Sequence, residues 1–227
     1  MNTTTNVTYF RTRRAGPESA IEDVVAQSIP QFLSPKEHSL WAAGSLPIGA
    51  GMPDLVIVAY HKQVSALTRI QITDAQILAY LRAVGQVRLD TIVDRIRAPR
   101  TFISRALDAF VAAEAVNLKS DRFSLSPLWR HILPEVLTIE VKVSNWQKAI
   151  QQARRNQIFS HRSFVALPAT VADRISSAPP FRDLGIGLLS VQPDGTVALL
   201  RRPRRRQPTI WTYYYQLALV VARNSKN

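Results

Sequence analysis

The run from Val136 to Val143 is apolar and rich in β-branched residues, yet it carries two charged residues, Glu140 and Lys142. Such a run is typical of a buried strand, in which successive side chains point to opposite faces of a sheet. Glu140 and Lys142 are therefore predicted to share one face, while Val141 packs on the other. Because a buried charge is costly unless it is paired or binds a metal, this strand indicates a polar site within a sheet.

A second buried strand is predicted at Asp54–Ala59, directly after the turn-rich segment Leu46–Pro53. A helix is predicted to begin at Pro17 and to be closed by Pro30 and Pro35. The other predicted core elements are a strand at about His38–Ala43, a helix starting at Ser144-Asn145, strands at Ser163–Leu167 and Gly185–Val191, a hairpin strand at Thr196–Leu200 after the Pro193-Asp194-Gly195 turn, and a helix at Thr209–Arg223.

The segment from about Thr73 to Arg130 has a different pattern. Thr73-Asp74 can cap a first helix, which Gly85 ends, and a second helix at about Leu89–Ile96 stops at Pro99. A third helix, Arg100–Ala115, precedes two predicted hairpin strands, Val116–Lys119 and Arg122–Leu125. Three helices followed by a hairpin resemble a winged helix-turn-helix. The predicted division is a discontinuous core of residues 1–72 and 131–227, with residues 73–130 inserted.

Charge narrows the class of partner. The chain has 29 basic and 16 acidic residues, a net charge of +13 and a pI near 10.8. This balance favours a polyanionic partner, most often nucleic acid, over a protein that is merely basic. The absence of cysteine excludes disulfides and cysteine-ligated zinc, and it fits a cytoplasmic location. We expect no membrane association, because no apolar run approaches the length of a membrane span.

Pro53-Asp54 together with Glu140-Val141-Lys142 resembles the PD-(D/E)xK nuclease superfamily, also called the restriction-endonuclease-like fold. The resemblance covers residues 17–60 and 136–200, and Gly185–Leu188 with its hairpin matches a common downstream feature. It implies an α/β fold, a mixed sheet flanked by helices, with the winged-helix domain inserted.

The resemblance also implies a site. Asp54, Glu140 and the backbone carbonyl of Val141 would bind Mg²⁺ or Mn²⁺, and Lys142 would orient or help to deprotonate a water molecule. Glu22 would be an additional acid, with Glu18 as the alternative. Gln152 lies where some members carry Gln-x-x-x-Tyr, although the fourth residue after it is Asn156. His38 is a candidate for the outer layer of the site.

Predicted DNA contacts extend beyond this site. They are Arg97, Arg100, Thr101, Ser104 and Arg105 at the third inserted helix, Lys119 and Arg122 on the wing, and Arg154 and Arg155 after the motif. A solvated basic face or a dimer interface is the alternative for the winged-helix residues, and a solvated helix face is the alternative for Arg154 and Arg155. The run Arg201–Arg206 is either a phosphate-binding loop or a flexible solvated segment. For the aromatic group Trp211–Tyr215, packing is favoured over stacking on bases.

The predicted function is therefore that of a metal-dependent deoxyribonuclease, a DNA endonuclease that hydrolyses phosphodiester bonds. One alternative is a non-catalytic DNA-binding or scaffold protein. Another is a nuclease subunit that acts only with a partner protein, and family analogy suggests a homodimer.

Overall fold

The computed structural model describes residues 6–29, 38–49, 51–67 and 71–225. The chain divides into two compact units, Met1–Ala59 with Glu135–Thr209 and Tyr60–Pro134 with Ile210–Asn227. We call them the sheet unit and the helical unit. The prediction that Pro30 and Pro35 close the first helix lies outside the described residues; the helix itself ends at Gln27. No helix within the described ranges is both long and apolar enough to cross a bilayer.

The sheet unit is built on a seven-stranded mixed sheet in the order β1-β2-β3-β6-β7-β8-β9. Its strands are β1 (Val7–Tyr9), β2 (Ser39–Gly44), β3 (Leu55–Tyr60), β6 (Glu135–Val141), β7 (Arg162–Pro168), β8 (Gly187–Val191) and β9 (Val197–Arg201). The contiguous strands β6, β7 and β8 are parallel, while β3 and β9 run antiparallel to their neighbours β6 and β8. The ends of β6, β7 and β8 therefore share one edge with the start of β3.

Helices cover both faces of this sheet. One face packs against α1 (Pro17–Gln27), whose Val25 contributes to a core with Ile139 and Val141 of β6. The other face packs against α5 (Trp146–Asn156), α6 (Ala169–Ile175) and α7 (Pro179–Leu184), with Phe181 fully buried among them. The predicted α/β class, with a mixed sheet flanked by helices, is confirmed. Its identification as a restriction-endonuclease-like fold stays a prediction.

The helical unit contains α2 (Ala75–Val84), α3 (Leu89–Ile96) and α4 (Arg100–Ala112), followed by the hairpin of β4 (Val116–Lys119) and β5 (Arg122–Leu125). Ser120 and Asp121 both have positive φ, at 49° and 62°, as a two-residue hairpin turn of right-handed twist requires. The predicted element order is confirmed. The winged-helix identification stays a prediction.

Two details of the inserted helices differ from the prediction. Asp74 precedes α2, but its side chain accepts a hydrogen bond from the Gln71 N–H at 2.8 Å and does not cap the helix. Helix α3 ends because Arg97 adopts the left-handed conformation, with φ 56° and ψ 40°, two residues before Pro99. Pro99 itself, at φ −53° and ψ 135°, serves as the N-cap of α4.

The helical unit is larger than the predicted insertion. It also contains residues 60–72 and 131–134, and the C-terminal helix α8 (Trp211–Asn224), which packs against α2. The Tyr214 hydroxyl accepts a hydrogen bond from the Leu133 N–H at 2.8 Å, and the Tyr215 hydroxyl donates one to the Trp129 carbonyl at 2.9 Å. Both tyrosines are buried. For these two residues the structure therefore agrees with packing, which was the favoured interpretation of the aromatic group.

Candidate active site at one edge of the sheet

Asp54 and Glu140 meet because β3 and β6 are antiparallel neighbours. Leu55 pairs with Ile139, which brings Asp54, just before β3, opposite the end of β6. The Val141 N–H donates a hydrogen bond to Asp54 Oδ2 at 2.7 Å. Backbone pairing thus fixes where the Asp54 carboxylate lies. We call this edge of the sheet, where β3 begins and β6, β7 and β8 end, the carboxylate edge.

Glu140 is a buried acid with one satisfied oxygen. The residue is 1% exposed, and its Oε1 accepts a hydrogen bond from Asn156 Nδ2 at 2.7 Å. Its Oε2 is buried and accepts no hydrogen bond from any described residue. Burial, and then the charge of Asp54, raises the pKa of Glu140 to about 8. Without a cation this carboxyl therefore retains its proton at neutral pH.

The Lys142 ammonium lies among oxygen atoms at the carboxylate edge. Its Nζ is 2.5 Å from the Val141 carbonyl oxygen, 3.2 Å from Glu18 Oε2 and 3.4 Å from Asp54 Oδ2. Burial alone would lower the pKa of Lys142, but the Asp54 and Glu18 carboxylates outweigh it and the pKa is raised. Lys142 is therefore a cation at neutral pH.

The two acids of α1 lie in different surroundings. Glu18, the alternative in the prediction, is the α1 acid that contacts Lys142. Glu22 is 8% exposed and lies 3.8 Å from Arg13 Nε. Burial raises the pKa of Glu22, while Arg13 opposes the rise.

The oxygens at this edge fit a hard divalent cation. Mg²⁺ prefers oxygen ligands and is commonly bound by one or two carboxylates together with water and phosphate. Asp54 offers a carboxylate, Glu140 Oε2 has no hydrogen-bond donor among the described residues, and the Val141 carbonyl already contacts a cation, the Lys142 ammonium. No group of three or more His, Cys, Asp or Glu side chains suited to a metal occurs within the described ranges.

Asn156 is a site residue that the prediction noted only as a departure from a motif. It is 2% exposed and lies one helical turn after Gln152 on α5. The turn at Gly51 comes so close that a Cβ there would be 3.1 Å from Asn156 Oδ1. A polar residue on the buried side of an amphipathic helix was the available signal, because a buried amide requires a partner.

The remaining residues predicted around the acids lie as follows. Gln152 is half-buried on α5, and His38 is half-buried just before β2. Arg154 and Arg155 are exposed on α5. The charge of Arg155 acts to lower the pKa of Glu140, so its guanidinium lies close enough to influence the site.

The DNA contacts predicted for the helical unit form a mostly exposed set. Ser104 is half-buried, and the exposed members are Arg97, Arg100, Thr101, Arg105, Lys119 and Arg122. Arg100 forms an ion pair with Asp90, and the Arg105 guanidinium lies 5.3 Å from the centroid of the Phe102 ring.

Comparisons of the chain with protein families, curated proteins and solved structures give no match. The chemistry proposed below therefore depends on the residues of this chain.

Proposed function

We propose that the protein is a divalent-metal-dependent DNA endonuclease of the PD-(D/E)xK type. The observation that carries the proposal is the meeting of Asp54 and Glu140 at one sheet edge, with the Lys142 ammonium 3.4 Å from Asp54 Oδ2. Two carboxylates brought together from distant parts of the sequence, in a chain of net charge +13, fit hydrolysis of a phosphodiester.

Asp54, Glu140 and the Val141 carbonyl are the groups that would hold Mg²⁺. When bound, such an ion supplies a Lewis acid and lowers the pKa of a coordinated water molecule. Glu140 must lose its proton to serve as a ligand, because its pKa is raised to about 8. The Asn156 amide holds Glu140 Oε1, which leaves Oε2 as the atom for the cation.

Lys142 acts as a donor in this proposal. Because its pKa is raised, its ammonium remains protonated and donates hydrogen bonds to a phosphate oxygen or to the attacking water. This favours the orienting role over the proton-accepting role that the sequence also allowed. Glu18 restrains the same ammonium at 3.2 Å until a phosphate approaches.

Cleavage of plasmid and linear DNA in Mg²⁺ or Mn²⁺ tests the proposal. We expect metal-dependent nicking by the wild-type chain and a loss on the order of 10²-fold or more in Asp54→Asn and Lys142→Ala. Asp183→Asn is the matched control, because Asp183 is an exposed acid of the same unit that pairs with Arg182. Cleavage that persists equally in both site variants would rule out the assignment.

A second candidate is a non-catalytic DNA-binding protein, and one observation favours it. Lys142, Asp54, Glu18 and the Val141 carbonyl already satisfy one another without a metal. In that case DNA binding would be salt-sensitive and would require no metal ion. Titration calorimetry with Mg²⁺ or Mn²⁺ separates the two, since only the nuclease requires a cation site that Asp54→Asn removes.

A further inference from the structure

The arginine run at Arg201–Arg206 lies at the edge of the sheet opposite the carboxylate edge. β6 begins at Glu135, β7 at Arg162 and β8 at Gly187, and the antiparallel β9 ends at Arg201. The starts of these three parallel strands and the end of β9 therefore share one edge. At about 3.3 Å per residue, β6 separates the two edges by about 20 Å.

The backbone of this segment is fixed to the sheet unit. The Arg204 N–H donates to the Gly185 carbonyl at 2.9 Å, the Arg206 N–H to the His161 carbonyl at 2.9 Å, and the Thr209 N–H to the Ile158 carbonyl at 3.0 Å. Of the two interpretations left open by the sequence, the flexible segment is therefore excluded. Its side chains project from a fixed backbone, so little backbone ordering is required when they bind.

Three arginines of the run are held by acceptors in the sheet unit. Arg201 donates to the Ser176 carbonyl at 3.0 Å, Arg206 donates to the Leu184 carbonyl at 3.2 Å, and Arg205 pairs with Glu135 at 3.1 Å. These contacts use neutral carbonyls in two of three cases, so the positive charge of Arg201 and Arg206 is not neutralised by them.

Arg202 and Arg204 are exposed, and neither forms an ion pair with a carboxylate of the described residues. Arg162, at the start of β7, shares Glu135 with Arg205 at a distance of 3.8 Å. Six arginines thus lie at this edge, and two of them share Glu135; the six are Arg162, Arg201, Arg202, Arg204, Arg205 and Arg206. We call these six the arginine strip.

We propose that the arginine strip, through Arg202 and Arg204, is a second nucleic-acid surface that binds the phosphate backbone away from the carboxylate edge. The strip contains arginine and no lysine, and guanidinium groups match phosphate oxygens two at a time. Binding here is independent of the proposed hydrolysis, because it involves neither Asp54 nor Glu140.

The test is the salt dependence of binding to a 30-base-pair duplex in EDTA, where no hydrolysis occurs. Each phosphate contact contributes about 0.9 to the slope of log K against log salt, so Arg202→Ala/Arg204→Ala should reduce the slope by about 1.8. Between 50 and 200 mM salt the wild-type chain should therefore lose about twelvefold more affinity than the double variant. Arg202→Lys/Arg204→Lys, which retains both charges, should keep most of the slope.

Lys62→Ala/Arg174→Ala is the charge-matched control, since both residues are exposed and lie outside the strip. An unchanged slope in the strip variant, or an equal reduction in the control, would overturn the proposal.

Exposed Leu199 and Leu200 on β9 suggest a comparison with vesicles containing phosphatidylserine. Strip-dependent binding to vesicles without strip-dependent binding to the duplex would also overturn it. If the strip variant keeps its salt slope but the wild-type chain cleaves DNA with Mg²⁺, only the strip proposal fails. If the slope falls as expected but no cleavage is seen, only the nuclease proposal fails.

Discussion

Glu140 is a buried acid at the end of β6, and the charge of Asp54 lies beside it. Its protonation state therefore differs between the folded and the unfolded chain. Its folded-state pKa of about 8 lies above the ordinary value of 4.5 for a glutamate side chain. Between these two values the folded chain holds a proton that the unfolded chain has released. Folding stability therefore falls as the pH rises through this window.

Replacing Glu140 by Gln should remove that pH dependence. Each pKa unit corresponds to about 1.4 kcal/mol, so the wild-type chain should lose on the order of a few kcal/mol in EDTA between pH 5 and pH 8.5, and Glu140→Gln should lose less. Urea unfolding at both pH values measures the difference. Parallel pH profiles for the two chains would show that Glu140 ionises with an ordinary pKa. In a separate measurement at pH 8.5, excess Mg²⁺ should stabilise only the wild-type chain.

Asn156 holds Glu140 Oε1, so in the proposed metal site Oε2 is the oxygen that would face the cation. Asn156→Ala removes the donor at 2.7 Å from Oε1, which leaves a buried acceptor unsatisfied and should destabilise the fold by about 1–3 kcal/mol. Loss of an outer-layer partner typically weakens metal binding by about 10–100-fold. Calorimetric titration with Mn²⁺ checks this expectation. Gln151→Ala, at an exposed position of the same helix, is the comparison, and an equal loss in both variants would remove the special role of Asn156.

The sequence predicted part of this site. Alternation along β6 selected Glu140 and Lys142, and the resemblance to the PD-(D/E)xK superfamily added Asp54 and the acids of α1. The contact of Glu18, and not Glu22, with Lys142 could not be predicted, because α1 presents both acids one turn apart and its rotation against the sheet is set by tertiary packing. Asn156 was missed because the partner of a buried amide is visible only in three dimensions.

Elements bounded by a recognisable turn were predicted most closely. The hairpin strands Val116–Lys119 and Arg122–Leu125 match to the residue, because the positive φ of Ser120 and Asp121 suits a two-residue turn. Strand β1 was missed, since Val7–Tyr9 is only three residues long within a polar segment. Helices α6 and α7 were missed because seven and six residues show too little periodicity.

At the end of α3, a substitution of Arg97 can remove a positive charge without adding backbone strain. Arg97 adopts φ 56°, a conformation that glycine accepts without steric cost. Arg97→Gly should therefore preserve the melting temperature while reducing the salt slope of DNA binding by about 0.9 if the guanidinium contacts a phosphate. Arg100→Ala should reduce the slope less, because Arg100 is paired with Asp90. Equal slopes for the Arg97→Gly variant and the wild-type chain would exclude this helix end from the DNA contact.

At the scale of the whole molecule, the helical unit is made from two separate segments. The sequence did not assign α8 to it, because eight of its fourteen residues are buried and an apolar pattern does not say which surface it covers. Tyr214 and Tyr215 supply that information through bonds to the Leu133 and Trp129 backbone.

The sheet unit should fold without the helical unit. A chain in which an Asn-Gly turn replaces residues 60–134, and which ends at Thr209, retains all seven strands of the sheet. We expect one cooperative melting transition and a Mg²⁺-induced rise in melting temperature that Asp54→Asn abolishes. The matching chain that ends at Thr209 but keeps residues 60–134 should lose the helical unit's transition, because α8 is missing. An unfolded sheet unit in the first chain would contradict this division.

The helical insertion is, in topological terms, the loop of one β-hairpin. It joins the end of β3 to the start of β6, while Asp54 and Glu140 lie at the far, open end of the same strand pair. The spacing of the two acids is thus set by backbone register and is insulated from whatever the loop contains. Under the proposed function, a change in the length or sequence of this loop therefore leaves the spacing of the two metal-binding acids unaltered.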